Sequence, residues 1–331
     1  MLEKYQKRLT KIIFALLFLI PVVIVLRIGI VVRYIDPQTL FYDRDTVIPK
    51  LFEYGVYILT ALMLCCGLFF KKLRFATTGH PRLKRVVDFS SCVEDGLLAM
   101  EGQEEKRKDF FSYFEKDRRS VPINGGTFLV FERATSSGVF AATLLGFLFI
   151  ASAVLIFAGM IVNSALGVID ALALVCAVLS GFYFWLSGLK ELYPHAKAFG
   201  FLSMAPVIWC VLRIISDFLD LSQNSNEYSH IMQIACLVFL TLFFYNEGKF
   251  TLTQTSRHSM WMYLGSGFAS LILISAVSVP NLLLASFWMV DFNTGVFNSM
   301  VELAIGVYIV AKLVAISSKM ERLDPKSLSI K

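Results

Sequence analysis

Residues 12–32 decide the fold, and they read IIFALLFLIPVVIVLRIGIVV. This stretch of 21 positions contains one charged side chain, Arg27. A helix rises about 1.5 Å per residue, so about 20 apolar residues cross the roughly 30 Å hydrocarbon core of a bilayer. Basic side chains precede the stretch and no small-residue cleavage site follows it. These features predict a retained membrane helix rather than a cleaved signal peptide.

Seven further stretches have the same apolar character. They run from Phe52 to Phe70, Gly138 to Val162, Ala171 to Leu189, Ala198 to Ile215, Ile231 to Tyr245, Trp261 to Leu284 and Val301 to Ile316. The sequence therefore predicts an all-α integral membrane protein, a polytopic bundle of about eight transmembrane helices. The whole chain is 56% hydrophobic and 17% charged, which is too apolar for a soluble globular protein. A formal net charge of only +6 does not suggest nucleic-acid binding, and none is expected.

Lysine and arginine collect on one side of these spans. With the N-terminus in the cytoplasm, 26 of the 31 Lys and Arg residues lie in cytoplasmic segments. Because cytoplasmic loops retain basic side chains, this distribution predicts that both termini are cytoplasmic, as an even number of spans also requires. Asn-x-Ser/Thr is absent and the connections are short, which favours the plasma (inner) membrane of a bacterium.

Residues 71–135 interrupt the apolar pattern with 13 basic and 10 acidic side chains. They predict a small cytoplasmic insertion that separates the first two transmembrane helices, residues 1–70, from a six-helix bundle with a short cytoplasmic tail, residues 136–331. Apolar positions recur within the insertion at three- and four-residue steps, which is typical of amphipathic helices. Asn124 and Gly125 predict the turn of a short hairpin between residues 121–123 and 127–131.

One part of the insertion combines aromatic and basic side chains. This pattern is typical of a helix that lies on an anionic membrane surface. The candidate membrane-surface or partner contact consists of Lys106, Arg107, Lys108, Phe110, Phe111, Phe114, Arg118 and Arg119, with Lys116 beside them. The alternative is that the aromatic rings pack against the span ends. The bilayer and, through residues 71–135, an anionic lipid or a cytoplasmic protein are the expected partners.

Span five carries the second candidate site. Pro206, Trp209, Arg213 and Asp217 follow one another at steps of three and four, so they share one helix face. We expect Pro206 to kink the helix, and Arg213 to bind an anionic group, to pair with Asp217, or to hold a neighbouring acid such as Glu302. These five residues form a candidate ligand-binding site. The alternative is a self-neutralising ion pair at the interface with Trp209 in the aromatic belt.

Two further expectations concern helix packing and isolated charges. Small residues at four-residue steps, including Gly146 and Gly265, predict close helix crossings. Arg27 is expected to extend to the headgroups, while Glu247 and Glu302 are expected to lie at span ends in contact with water.

Enzymatic chemistry finds little support in the sequence. It contains no metal-ligand spacing, no phosphate-binding glycine loop and no catalytic constellation, so no catalytic residue, metal or cofactor is expected. The leading hypothesis is a non-enzymatic sensor or accessory subunit that acts through its cytoplasmic insertion. The alternative is a small-molecule transporter or permease with an outward-facing polar site on span five, and the third hypothesis is a membrane-embedded enzyme.

Overall fold

The computed structural model describes residues 2–34, 47–71, 73–77, 128–132, 136–163, 167–188, 201–223, 230–251, 259–288 and 294–318. The helices are α1 (Leu2–Tyr34), α2 (Val47–Gly67), α3 (Ser136–Asn163), α4 (Val168–Gly188), α5 (Ala205–Gln223), α6 (His230–Thr251), α7 (Ser259–Ala276), α8 (Ser278–Trp288) and α9 (Thr294–Ser318). A 3₁₀ turn, Leu68–Phe70, extends α2. The two strands are β1 (Leu73–Thr77) and β2 (Phe128–Glu132).

Among the described residues, seven stretches of helix are long and apolar enough to cross a membrane: α1, α2, α3, α4, α6, α9, and α7 with the first part of α8. Large apolar side chains cover the outer surfaces of these helices, as lipid contact requires. The predicted helical integral membrane protein is confirmed in this form. The fifth predicted span does not qualify, because α5 carries three charged side chains, Arg213, Asp217 and Asp220, in 19 residues.

Six of the described helices close into a ring. In the order α3, α4, α5, α6, α7, α9, each helix packs against the next, and α9 packs against α3. Helices α1 and α2 lie outside this ring against α7, and α8 packs against α7 and α9. Aromatic side chains meet across the interior: the ring centroids of Phe184 on α4 and Tyr308 on α9 are 5.2 Å apart, and those of Phe149 on α3 and Trp209 on α5 are 5.0 Å apart. The six helices therefore share one packed interior.

Glycines allow two pairs of helices to touch backbone to backbone. A Cβ atom placed on Gly67 of α2 would lie 2.8 Å from Cα of Gly265 in α7. One placed on Gly146 of α3 would lie 2.7 Å from the carbonyl oxygen of Gly181 in α4. The close crossings predicted at Gly146 and Gly265 are confirmed. Such contacts matter because packing, rather than the hydrophobic effect, drives helix association in lipid.

Arg27 is buried between α1 and α2 rather than extended to the surface. Its side chain is 1% exposed, its Nη1 lies 4.0 Å from Oε1 of Glu53, and its guanidinium lies 5.7 Å from the ring centroid of Phe52. The prediction that Arg27 reaches the headgroups is wrong. The beginning of α2 supplies a carboxylate and an aromatic face, and both attract a guanidinium.

Strands β1 and β2 pair in parallel, from Leu73 opposite Phe128 to Thr77 opposite Glu132. The predicted hairpin needs an antiparallel partner in residues 121–123, which lie outside the described residues, as do the predicted amphipathic helices. Strand β1 packs against α6 and α7, and β2 packs against α9. Since β1 follows α2 closely, the two strands lie at the end of the ring where α2 and α6 end and α7 begins.

Candidate functional site

Pro206 lies in the first turn of α5, because the helix begins at Ala205. A short turn precedes it, in which the Met204 amide donates to the Phe201 carbonyl at 3.1 Å. Proline is tolerated at this position because amides of the first helical turn have no partner within the helix. The predicted kink at Pro206 is therefore wrong: the residue helps to start the helix instead of bending it.

Trp209 belongs to the interior of the six-helix ring. It is 3% exposed, and its ring packs edge to face on Phe149 of α3. Phe149 in turn stacks on Phe184, with ring centroids 5.7 Å apart. The alternative that placed Trp209 in an interfacial aromatic belt is wrong.

Arg213 and Asp217 form the predicted ion pair along α5. Nη2 of Arg213 lies 3.1 Å from Oδ1 of Asp217, and the two side chains are only 17% and 9% exposed. A pair four residues apart on a helix is a local geometry, which is why the sequence could predict it. Nε of Arg213 is also buried, and the structure gives it no hydrogen-bond partner among the described residues.

Glu302 is fully buried near the beginning of α9, and the prediction that it touches water is wrong. Nε2 of Gln233 on α6 donates to its Oε1 at 2.5 Å, and Oγ of Ser278 on α8 donates to its Oε2 at 2.5 Å. Within the described part of the chain no ion pair joins Arg213 to Glu302, although the two charges interact electrostatically. Sequence reasoning missed Gln233 and Ser278; the available signals were an isolated amide in an apolar span and a serine two residues before Pro280.

A local irregularity in the helix precedes Ser278, although the amides of Val277 and Asn281 still donate to the carbonyls of Leu273 and Val277 at 3.0 and 3.1 Å. Helix α7 ends at Ala276, Val277 forms a turn, and α8 continues from Ser278. Pro280 lacks an amide hydrogen, so the Ala276 carbonyl receives no helical hydrogen bond from it. In membrane proteins, interrupted backbone is tolerated where it is buried in protein or lines a cavity.

Five polar side chains from four helices come together at one end of the ring interior. We refer to them as the Glu302 cluster, which consists of Arg213, Asp217, Gln233, Ser278 and Glu302. Four of the five predicted site residues, all except Pro206, thus belong to this cluster or to the interior beside it. The geometry brings together one cationic group, two carboxyl groups, an amide and a hydroxyl. Such a set can bind a small polar molecule or an ion.

A second polar cluster lies at the other end of the same interior. Tyr308 of α9 donates its hydroxyl to Oε1 of Glu247 on α6, and Nζ of Lys312 lies 3.9 Å from the same oxygen. Glu247 is 6% exposed, so the expectation that it touches water is wrong. We refer to Glu247, Tyr308 and Lys312 as the Glu247 cluster. The signal available in the sequence was the spacing of Tyr308 and Lys312, one helical turn apart.

Aromatic rings, including that of Tyr308, lie between the Glu302 and Glu247 carboxylates. Phe184 lies at the centre of this layer, with Tyr308 at 5.2 Å and Phe244 at 5.7 Å, and Phe149 connects it to Trp209. Helices α6 and α9 both contribute to both clusters, but they are not neighbours in the ring. Helix α6 packs along α5 and α7, and α9 packs along α3, α7 and α8. Polar and aromatic side chains therefore bridge the space between α6 and α9 inside the ring.

The aromatic and basic candidate contact lies outside the described residues, from Lys106 to Arg119. Among the ranges that the structure describes, no three His, Cys, Asp or Glu side chains are grouped so that they could hold a metal ion. Neither a protein-family model, nor a curated protein, nor a solved structure matches the chain.

Proposed function

We propose that this protein is a small-molecule transporter or permease whose pathway runs through the interior of the six-helix ring. One observation carries the proposal: two polar clusters occupy opposite ends of one interior, with a layer of aromatic rings between them. A transporter must close its binding site to one side at a time. A polar site at each end with an apolar barrier between them meets that requirement.

The proline-containing helix that carries Ser278 supports the same proposal. Transporters form their sites from discontinuous membrane helices whose free backbone groups and polar side chains face the pathway. The helix that runs through α7 and α8 offers one such backbone group, the Ala276 carbonyl to which Pro280 cannot donate, and the same helix places Ser278 against Glu302. We assign substrate binding to the Glu302 cluster, and closure of the other end to the Glu247 cluster.

The proposal includes a membrane topology. The chain crosses the membrane eight times, with α5 as a crossing in addition to the seven apolar spans. Both termini and residues 71–135 then lie in the cytoplasm of a bacterial cell. This topology is supported by the 26 of 31 Lys and Arg residues that fall on the cytoplasmic side. The Glu302 cluster then faces the outside of the cell, and the Glu247 cluster faces the cytoplasm.

Water access to Ser278 tests the proposal without knowledge of the substrate. In a variant that lacks the six native cysteines, we expect Ser278→Cys to react with a charged, membrane-impermeant thiosulfonate added to the outside of intact cells. The reason is that a transport site opens to water during its cycle. The measurement is the labelling rate, read by mass shift of the purified protein.

Val238→Cys serves as the control, because Val238 lies on α6 and is exposed on the outer surface of the bundle, where lipid covers it. It should label many times more slowly than Ser278→Cys. Equal, negligible labelling of both variants would indicate a dry, sealed bundle and would contradict the transport proposal.

A second candidate function, a sensor or interaction subunit that acts through its cytoplasmic insertion, has one structural observation in its favour. The two strands that flank the segment 78–127 pair with each other and pack against the ring, β1 against α6 and β2 against α9. These are the helices that carry the Glu247 cluster. A lipid or protein bound to that segment would therefore act on the adjoining end of the ring.

For this second function we expect a photo-crosslinker at Phe110 to capture phosphatidylglycerol in preference to phosphatidylcholine in mixed nanodiscs, because basic side chains surround Phe110 in the sequence. A crosslinker at Phe140, an exposed apolar residue of α3, is the control and should show no preference. Deletion of residues 104–119 should change the lipid selectivity of a crosslinker at the neighbouring Met100 or the stability of the protein. If the deletion changes neither, the sensor hypothesis fails.

A further inference from the structure

The beginning of α1 and the end of α2 lie side by side at one end of the bundle. The ring centroids of Tyr5 and Phe70 are 6.4 Å apart. The guanidinium of Arg8 lies 6.0 Å from the ring centroid of Phe69. Both helices also pack against α7. Exposed basic side chains therefore meet at this end, and we refer to three of them, Arg8, Lys11 and Lys71, as the Arg8 group.

The Arg8 group lies where the apolar spans begin and end. Lys11 is the last charged residue of α1 before Arg27. Lys71 directly follows Phe70, at which the apolar span of α2 ends. In a bilayer this level is occupied by the polar headgroups of the lipids. Basic side chains between membrane helices at this level bind anionic headgroups.

The contact with Phe69 leaves the hydrogen-bond donors of Arg8 available. An aromatic ring attracts a guanidinium through its quadrupole and does not need the N–H groups as hydrogen-bond donors. Within the described ranges, no carboxylate forms an ion pair with a member of the Arg8 group. A guanidinium binds a phosphate through two parallel hydrogen bonds. Arg8 is thus held in place and free to bind a phosphodiester.

An exposed apolar face continues from the Arg8 group along α1. Phe14 and Phe18 follow Lys11 at steps of three and four residues, so the three side chains share one helix face. Both rings are exposed on the outer surface of the bundle, as is Phe69. A free phosphate would contact the basic side chains alone. A phospholipid contacts both parts, with its headgroup on the bases and an acyl chain on the rings.

We propose that the Arg8 group and the adjoining face of α1 bind one anionic phospholipid, with its phosphodiester at Arg8 and an acyl chain along Phe14 and Phe18. The site needs only that α1 and α2 cross a membrane, so it does not depend on the transport function. It is also separate from the aromatic and basic candidate contact in residues 106–119. In the proposed topology the lipid belongs to the cytoplasmic leaflet.

Native mass spectrometry of the full-length protein in detergent micelles tests the proposal. Phosphatidylglycerol and phosphatidylcholine with the same acyl chains are titrated separately, and the dissociation constant of the first bound lipid is measured. A basic side chain near the membrane surface strengthens the binding of an anionic lipid about fivefold, the equivalent of about 1 kcal/mol. We expect phosphatidylglycerol to bind at least about tenfold more tightly. Equal dissociation constants would overturn the proposal.

Removal of the charges locates the site. Arg8→Gln should weaken the binding of phosphatidylglycerol about fivefold and leave that of phosphatidylcholine unchanged. The triple variant Arg8→Gln/Lys11→Gln/Lys71→Gln should bind the two lipids equally. Persistence of the full preference for phosphatidylglycerol in the triple variant would place the lipid elsewhere and overturn the proposal.

Arg33→Gln is the matched control, at the other end of α1. Arg33 is also exposed, and its guanidinium lies 5.7 Å from the ring centroid of Tyr34. The substitution lowers the net charge by the same amount as Arg8→Gln, but the binding of phosphatidylglycerol should not change. An equal loss in both variants would be an effect of net charge and would overturn the site.

Phe69→Leu tests the geometry, because it keeps an apolar contact and removes the ring. The affinity for phosphatidylglycerol should fall about threefold, the effect of an exposed cation–π contact. No further fall is expected when Arg8→Gln is already present, and a fall of the same size in that background would contradict the arrangement. Glycerophosphoglycerol, the soluble headgroup, should not displace the lipid. Displacement at an equal concentration would assign the site to a free phosphodiester and overturn the lipid assignment.

Discussion

Gly67→Ala is expected to destabilise the protein by about 1 to 3 kcal/mol, the usual cost of overpacking a close contact. The added methyl group would lie 2.8 Å from Cα of Gly265, and no side-chain rotation can relieve a clash with backbone atoms. Helices α2 and α7 would have to separate. Since α7 also packs against α6 and α9, the displacement would reach the six-helix ring.

Gly55→Ala, on the same helix, is the matched control. An added Cβ at Gly55 meets nothing within 4 Å, because this face of α2 is on the outer surface. Alanine is a better helix former than glycine, so this variant should be stabilised by up to about 1 kcal/mol. The measurement is the free energy of unfolding in mixed micelles titrated with denaturing detergent. Changes of the same sign in both variants would show that the α2–α7 crossing does not depend on Gly67.

The spans could be predicted from the sequence because lipid imposes a length and a composition on each one. Seven of the eight predicted spans correspond to helices of that character. The exception, α5, begins at Ala205 rather than Ala198 and continues to Gln223 rather than Ile215. Its charged side chains reduce the apolar signal on which the prediction depends, and the ring interior holds two of those charges, on Arg213 and Asp217.

The candidate site was predictable only where its geometry is local. Arg213 and Asp217 lie one turn apart on one helix, so their contact follows from helical periodicity. The bonds of Gln233 and Ser278 to Glu302 join three helices, and their formation depends on which helices are neighbours in the ring. Hydropathy carries no information about neighbours. For the same reason Arg27, Glu247 and Glu302 were expected at the surface, although each is buried against a polar partner on another helix.

Arg213→Gln is expected to destabilise the protein by about 3 kcal/mol, at the lower end of the cost of removing one partner from a buried ion pair. The Asp217 carboxylate would then lose its ion pair with Arg213, and Glu302 would lose the favourable field of the guanidinium. Asp217→Asn should cost less, because Arg213 then balances Glu302 and the cluster becomes neutral. The measurement is again the free energy of unfolding in mixed micelles. The control is Arg33→Gln, at an exposed position on α1, whose free energy of unfolding should stay within about 0.5 kcal/mol of that of the unmodified protein.

The double variant Arg213→Gln/Asp217→Asn decides between the two interpretations of this pair. It removes the guanidinium together with the carboxylate that pairs with it, so it should be more stable than Arg213→Gln alone, and the two substitutions should be strongly non-additive. An exposed, self-neutralising pair at the membrane interface would behave differently, with two similar single effects of about 1 kcal/mol or less. The asymmetry arises because Glu302 is within electrostatic reach of both charges. Equal single effects would therefore show that the Arg213–Asp217 pair is energetically separate from Glu302.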